Sequence, residues 1–227
     1  MKSIVFRYCC FIIGLFFLSL GIDFIVTSAL GTTPISSINY VLSLNTPMTL
    51  GVATFAFNML VIAGQFWLVR GLGSRKDYIE ILLQIPFSLL FSVFIDLNMM
   101  WIIHIPVTGY AVSLILLATG CICQAIGVVM ELKPNVAIMS AEGFVKYFCR
   151  RYGKDFGHAK VVFDISLVTG AMLLSLAFCG HIEGVREGTV VAALCTGFLV
   201  NFLARHIFTR RNIKRVIPHG TTLYNNL

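Results

Sequence analysis

"ALGTTPISSINYVLSL", residues 29–44, carries no charge, yet Gly31 and Pro34 interrupt it, and its serines, threonines and Asn39 make it too polar for an ordinary membrane span. Long apolar runs lie on both sides of it. A second stretch of the same kind, "NVAIMSAEGFVKYFCR" at 135–150, follows 106 positions later. At that single offset Gly14 falls on Gly120, Gly21 on Gly127, Gly51 on Gly157, Ala53 on Ala159, Phe57 on Phe163, Gly64 on Gly170 and Leu68 on Leu174, while Asn58 falls on Asp164. One constant offset, kept without a gap through two apolar runs and the irregular stretch between them, marks an internal repeat rather than a coincidence of glycines.

The composition says which solvent this repeat is built for. Hydrophobic residues make up 58% and charged residues 12% of the 227 positions, a balance suited to lipid. Runs near the ~20 residues that cross a ~30 Å hydrocarbon layer lie at 8–28, 50–70, 79–97, 108–130, 158–179 and 186–207. The expected fold is an all-α membrane protein with six transmembrane helices in two three-helix repeats, residues 1–106 and 107–227. An odd number of spans per copy makes the second copy enter the bilayer upside down, so the repeats are inverted. Charge gives the same orientation independently. With the N-terminus in the cytoplasm, sixteen of the seventeen lysines and arginines fall on the inner side and Arg186 alone outside, which places both termini in the cytoplasm.

The same residues exclude several other readings. The start resembles a signal peptide, with Lys2 and Arg7 before an apolar run and Ala29 as a cleavage position, but the pattern recurs downstream as a span that must be kept. The basic tail from Arg205 to Lys214 and Arg215 reads as a charged stop beside anionic headgroups, so no nucleic-acid partner is expected. The seven cysteines show no paired spacing and are expected as free thiols, without metal. No GxSxG, HExxH, P-loop or dinucleotide fingerprint is present, so neither an enzyme nor a cofactor is expected.

The two irregular stretches then read as helix starts. Pro34 with Ser36 and Ser37, and Ser140 with Glu142, suit a first turn, where proline loses no hydrogen bond and hydroxyls or acids meet free N–H groups. Ile35, Ile38, Val41 and Leu42 follow in one copy and Ala141, Phe144, Val145 and Phe148 in the other, each set spaced as an apolar helical face. Each is a short helix that either dips into the membrane as a re-entrant element or rests at its interface.

Candidate site residues follow from depth and cost. Asn58 lies seven positions below Gly51, which at 1.5 Å per residue is roughly 10 Å into a ~30 Å core, and Asp164 lies at the matching depth from the opposite face. A carboxylate there costs about 2.5–3.5 kcal/mol on insertion scales, so it should face the interior as a solute contact, a proton carrier or a structural partner of Ser140, Glu142 or Asn58. Glu142 either faces a cavity between the halves or pairs with Lys146 four residues on. Asp23, Asn39, Ser36 and Ser140 complete the candidate solute-binding set; interfacial solvation is the competing reading for Asp23 and Asn39. Asp96 reads as a solvated or packing group near a helix end.

The doubled pattern of a GxxP stretch, a glycine opening the next span and a polar residue seven positions later resembles the YitT/YczE group of bacterial six-helix membrane proteins. That group commonly has an acid soon after the GxxP turn; here "GTTPIS" has Ser36 at that place, and "IMSAEG" keeps the acid as Glu142 but has Ser140 for the proline. The resemblance implies a multi-pass protein of the bacterial cytoplasmic membrane with a transport role. The expected function is a secondary transporter of a small solute or ion, working by alternating access between inverted repeats. The alternative is a membrane scaffold or assembly partner in which Gly14 and Gly21 mark an interface, with a homo-oligomer among the partnerships allowed.

Overall fold

The computed structural model describes residues 2–132, 134 and 136–206. Among them the chain forms eight α-helices and no strand: α1 (Lys2–Thr27), α2 (Pro34–Asn45), α3 (Leu50–Val69), α4 (Arg75–Ile102), α5 (Tyr110–Leu132), α6 (Ser140–Tyr152), α7 (Phe156–Cys179) and α8 (Glu187–His206). By length and composition α1, α3, α4, α5 and α7 are able to cross a membrane, and α8 contributes a shorter apolar stretch, Glu187–Val200. Helices α1 and α4 outrun the apolar runs that foretell them because polar ends extend them; α4 starts on a capping box in which Ser74 and Asp77 satisfy each other's end groups. Lys133 and the basic tail with Arg210, Arg211, Lys214 and Arg215 lie outside the described residues.

The irregular stretch of the first copy becomes α2 for local reasons. Thr33 caps it by accepting from the Ser36 N–H, and Pro34 occupies its first turn. Ahead of it the chain turns sharply through Ala29 (φ 57°) and Gly31 (φ 142°). Gly31 has a second reason to lack a side chain, since a Cβ there would stand 2.5 Å from the Thr189 hydroxyl. The second copy becomes α6, which stops at Gly153 in the left-handed region. At 12 and 13 residues, or roughly 20 Å at 1.5 Å per residue, neither short helix is long enough to cross a ~30 Å layer.

Each buries one face against other helices. Ser36, Ser37, Asn39 and Val41 of α2 are buried, as are Ser140, Ala141, Val145 and Tyr147 of α6. Helix α2 packs on α7 and α3, and α6 packs on α3 and α7, so each copy lends its short helix to the second long helix of the other. The contact that starts each pairing is the same one twice: Phe144 lies against Gly64, and Ile38 against Gly170.

Helices α1 and α5 run antiparallel down the centre, and here the reciprocity is tightest. A Cβ on Gly21 would meet the Gln124 nitrogen at 2.5 Å, and one on Gly127 would meet the Leu18 nitrogen at 2.5 Å; Leu18 and Gln124 are 106 apart. Gly14 sits against Glu131 and Gly120 against Ile25, again 106 apart. Around this seam α4 packs on α1 as α8 packs on α5. Among the described residues the exchange is incomplete: α3 lies along α4 and α4 touches α6, whereas α7 and α2 have no comparable contact with α8.

Candidate functional site

The buried start of α6 meets α3 through polar atoms. The Ser140 hydroxyl donates to Asn58 Oδ1 at 2.7 Å, which joins two of the sequence candidates across the repeats. Two turns further along α3, Gln65 and Gln84 of α4 exchange amide hydrogen bonds at 2.8 and 3.0 Å. Gln65 Nε2 also donates to the Ser140 carbonyl at 2.9 Å. Gly143 lies directly on this amide pair; a Cβ there would stand 2.8 Å from Gln84 Nε2. Fully buried amides of this kind persist because each satisfies the other, whereas Asn58 Nδ2, buried with them, has no hydrogen-bond partner.

Away from its buried start α6 is clamped by charge. Lys146 reaches Glu80 at 2.7 Å, and the Arg150 Nη1 spans both oxygens of Asp77 at 3.0 Å. Arg151 donates to the Leu68 carbonyl at 2.9 Å, capping the C-terminal end of α3 with a cation, and its guanidinium stands 5.3 Å from the Trp67 ring centroid. Beside this clamp a groove of about 440 Å³ opens between α4 and residues 136–138, lined by Lys76, Glu80, Val136, Ala137 and Lys146.

The charged candidates gather around a residue that sequence reasoning treated only as a topology marker. Lys160 Nζ lies 2.8 Å from Asp164 and 3.8 Å from Glu142. All three side chains are partly exposed, at 23%, 29% and 32%. Asp164 therefore pairs with Lys160 rather than with Ser140, Glu142 or Asn58, and Glu142 pairs with Lys160 rather than with Lys146. The available signal was the i,i+4 spacing of Lys160 and Asp164 within one apolar run. Two carboxylates share one cation here, an arrangement in which another cationic group can compete with the lysine.

The remaining candidates lie apart from this cluster. Ser36 is closed within its own turn, its hydroxyl bonded to that of Thr33. Thr32 Oγ1 donates to Ser37 Oγ at 3.1 Å and also reaches the Gly184 carbonyl at 3.0 Å, which fastens α2 to the α7–α8 connection. Asn39 and Asp23 are fully buried, and neither side chain has a hydrogen-bond partner. Asp96, expected as a solvated or packing group, instead caps α3 by accepting from Thr49 Oγ1 at 2.8 Å and the Gly51 N–H at 2.9 Å. Glu131 is a buried acid that sequence reasoning passed over at the end of an apolar run; its carboxylate accepts the Met139 N–H just before α6 and shares an electrostatic neighbourhood with Glu142.

Across the whole bundle this is the profile of a multi-pass helical membrane protein whose polar groups collect at the starts of two broken helices. A family model, described as a family of unknown function, matches residues 5–205. No curated protein and no solved structure matches the chain.

Proposed function

The chain belongs to that family, DUF6198, and from its geometry we propose that it is a secondary transporter that moves a small solute or ion across the bacterial cytoplasmic membrane. In this reading the six long helices are two inverted three-helix repeats, divided near residue 106, with both termini in the cytoplasm and α2 and α6 as re-entrant elements. The reading keeps the YitT/YczE likeness as a likeness of architecture, and treats the protein as a carrier without enzymatic chemistry.

One observation carries it: each repeat buries its short helix against the second long helix of the other, through the same contact repeated 106 residues apart, Phe144 on Gly64 and Ile38 on Gly170. Broken helices with polar starts inside a bundle are tolerated where they border a wet cavity, because unpaired peptide groups in lipid cost several kcal/mol each. An exchange of equivalent contacts also provides two related conformations, one open to each side, which is what alternating access requires. Lys160, Asp164 and Glu142 supply the charge at one mouth of that route, and Asn58 with Ser140 the neutral polar contacts deeper in.

The scaffold reading loses its main support, because Gly14, Gly21, Gly120 and Gly127 are all consumed in the α1–α5 seam of the same chain. The decisive experiment reconstitutes the full chain in proteoliposomes holding a pH-sensitive dye, sets a potential with potassium and valinomycin, and records proton movement across a panel of small solutes. Asp164→Asn is expected to fold and to abolish solute-dependent flux; wild-type flux in that variant removes Asp164 from the mechanism, and no flux with any solute in the wild type removes the transport reading.

A further inference from the structure

We propose that the groove between α4 and residues 136–138 binds an acidic phospholipid, with its phosphate held by Lys76 and Lys146 and an acyl chain laid along Ile79 and Leu83. The groove encloses about 440 Å³, inside the span of about 300–1,000 Å³ usual for ligand sites. Its two ends differ in chemistry. Lys76, Ile79, Glu80 and Leu83 are three or four residues apart and so share one face of α4, and from Lys76 to Leu83 this face runs roughly 10 Å along the axis. Lys146 joins the polar end from α6 through Glu80, and residues 136–138 supply a second apolar wall.

The sequence of α4 sets the height of that face in the bilayer. At 28 residues the helix is about 42 Å long, roughly 12 Å more than a ~30 Å hydrocarbon layer needs. Arg75, Lys76, Asp77 and Glu80 crowd its first two turns, whereas residues 81–95 carry no charge. The excess length therefore projects at the N-terminal end, which puts Lys76 and Glu80 at the level of the headgroups and Leu83 at the edge of the hydrocarbon. Ile79 and Leu83 are 57% and 36% exposed, so the described protein leaves this face open to lipid.

Charge decides the class of lipid. Lys146 and Glu80 neutralise one another at 2.7 Å, and the second Glu80 oxygen accepts from the Tyr147 hydroxyl at 3.3 Å. Glu80 is thus engaged on both oxygens and, although four residues from Lys76, does not pair with it. Among the described residues Lys76 has no ion-pair partner, so the polar end of the groove keeps one positive charge uncompensated. A phosphodiester under a neutral headgroup brings a single negative charge to match it, with oxygens that accept from both ammonium groups. A zwitterionic headgroup would set its own cation against the lysines, and a free anion would leave the apolar walls bare. Lipid binding here stands independently of the transport reading.

The test is thermal unfolding of the full chain in a neutral detergent at constant ionic strength, titrated with dioleoyl phosphatidylglycerol and, in parallel, with dioleoyl phosphatidylcholine. The acidic lipid is expected to raise the melting temperature saturably, by roughly 3–6 °C at ten times its half-saturating concentration, and the zwitterionic lipid to leave it unchanged. Lys76→Gln and Leu83→Ala are each expected to move half-saturation several-fold upward. Lys154→Gln, which removes an exposed lysine at the α6–α7 turn, is expected to leave it in place. An equal rise with both lipids overturns the site, as does an unshifted half-saturation in Lys76→Gln or Leu83→Ala. Equal shifts in Lys76→Gln and Lys154→Gln overturn it in favour of diffuse attraction to a charged surface. Inorganic phosphate or glycerol phosphate reproducing the rise overturns it in favour of a soluble anion.

Discussion

Replacing Gly21 or Gly127 by alanine tests the central seam, because the cost can be worked from distances. A methyl on Gly127 would stand 2.5 Å from the Leu18 nitrogen, 2.8 Å from the Leu18 Cα and 2.9 Å from the Gly14 carbonyl oxygen. Ordinary contact begins at 3.4 Å, so about 0.9 Å is missing at the nearest atom. Gly21 faces the Gln124 backbone with the same shortfall. Neither clash is with a side chain that could rotate away, so α1 and α5 must separate and lose dispersion contacts along their length. Overpacking of this kind costs about 1–3 kcal/mol. For a chain of this size that lowers the melting temperature by roughly 2–12 °C. The double variant should cost less than the two singles together, since once the helices have parted the second methyl finds room. Gly197→Ala is the control, with nothing within 4 Å of its added methyl. The assay is thermal unfolding of purified protein in one detergent. If Gly21→Ala and Gly127→Ala both melt with the control, the close approach of α1 and α5 is wrong, and the reciprocal architecture built on it goes too.

Two further outcomes follow from individual contacts. Gln65→Leu should destabilise the chain by about 1–3 kcal/mol because it strands the buried Gln84 amide, whereas Gln65→Leu with Gln84→Leu should recover most of the loss; a double variant as unstable as the single refutes the mutual amide pair. His181, in the α7–α8 connection, has its pKa raised from the ordinary 6.5 by the hydrogen bond to Glu183 and then by the Cys179 carbonyl. A raised folded value means that its stabilisation is complete below pH 6.5 and is lost as pH climbs through the folded pKa. An NMR titration of the His181 ring should therefore show a midpoint above 6.5 that falls in Glu183→Gln; equal midpoints refute the pairing.

The repeat was legible because backbone approach writes itself into sequence: only glycine admits a neighbouring helix whose backbone would stand 2.5 Å from a Cβ, so the seam left Gly14, Gly21, Gly120 and Gly127 in register at one offset. The starts of α2 and α6 were legible for a local reason, the chemistry of a first turn at Pro34 and Ser140. Partnerships between helices were not. Glu142 and Lys146 have the spacing of a helix pair, but such a pair is worth only a few tenths of a kcal/mol. Tertiary packing overrides it by bringing Lys146 to Glu80 and Glu142 to Lys160. Lys160 was hidden by its place near the end of an apolar run, where a lysine also serves as an orientation signal. Glu131 was hidden similarly, and its link to the Met139 N–H exists only after α5 and α6 have folded together.

The two copies share a skeleton but not a chemistry, and the difference has a direction. In the second copy the charges are Glu142, Lys160 and Asp164; their mates in the first are Ser36, Thr54 and Asn58, all neutral. Most buried unpartnered groups run the other way, since Asp23, Asn39 and Ser92 correspond to Val129, Val145 and Phe198, although Glu131 of the second copy stands opposite Ile25. The clamp on α6 is one-sided as well. Lys146, Arg150 and Arg151 hold α6 against α3 and α4, whereas their mates on α2 are Tyr40, Leu44 and Asn45, of which Asn45 alone makes a polar contact to α7, accepting from the Cys179 thiol at 3.0 Å. A fold whose contacts exchange under one symmetry has two conformations of nearly equal energy only if the exchanged residues match. Here ion pairs from the short helix to its neighbours, worth up to about 1 kcal/mol each, hold α6 and not α2, which under the proposed transport function favours the side closed by α6. Under the transport function proposed above, the resting state would thus be set by residues that the repeat does not share, and the solute would supply the difference that opens it.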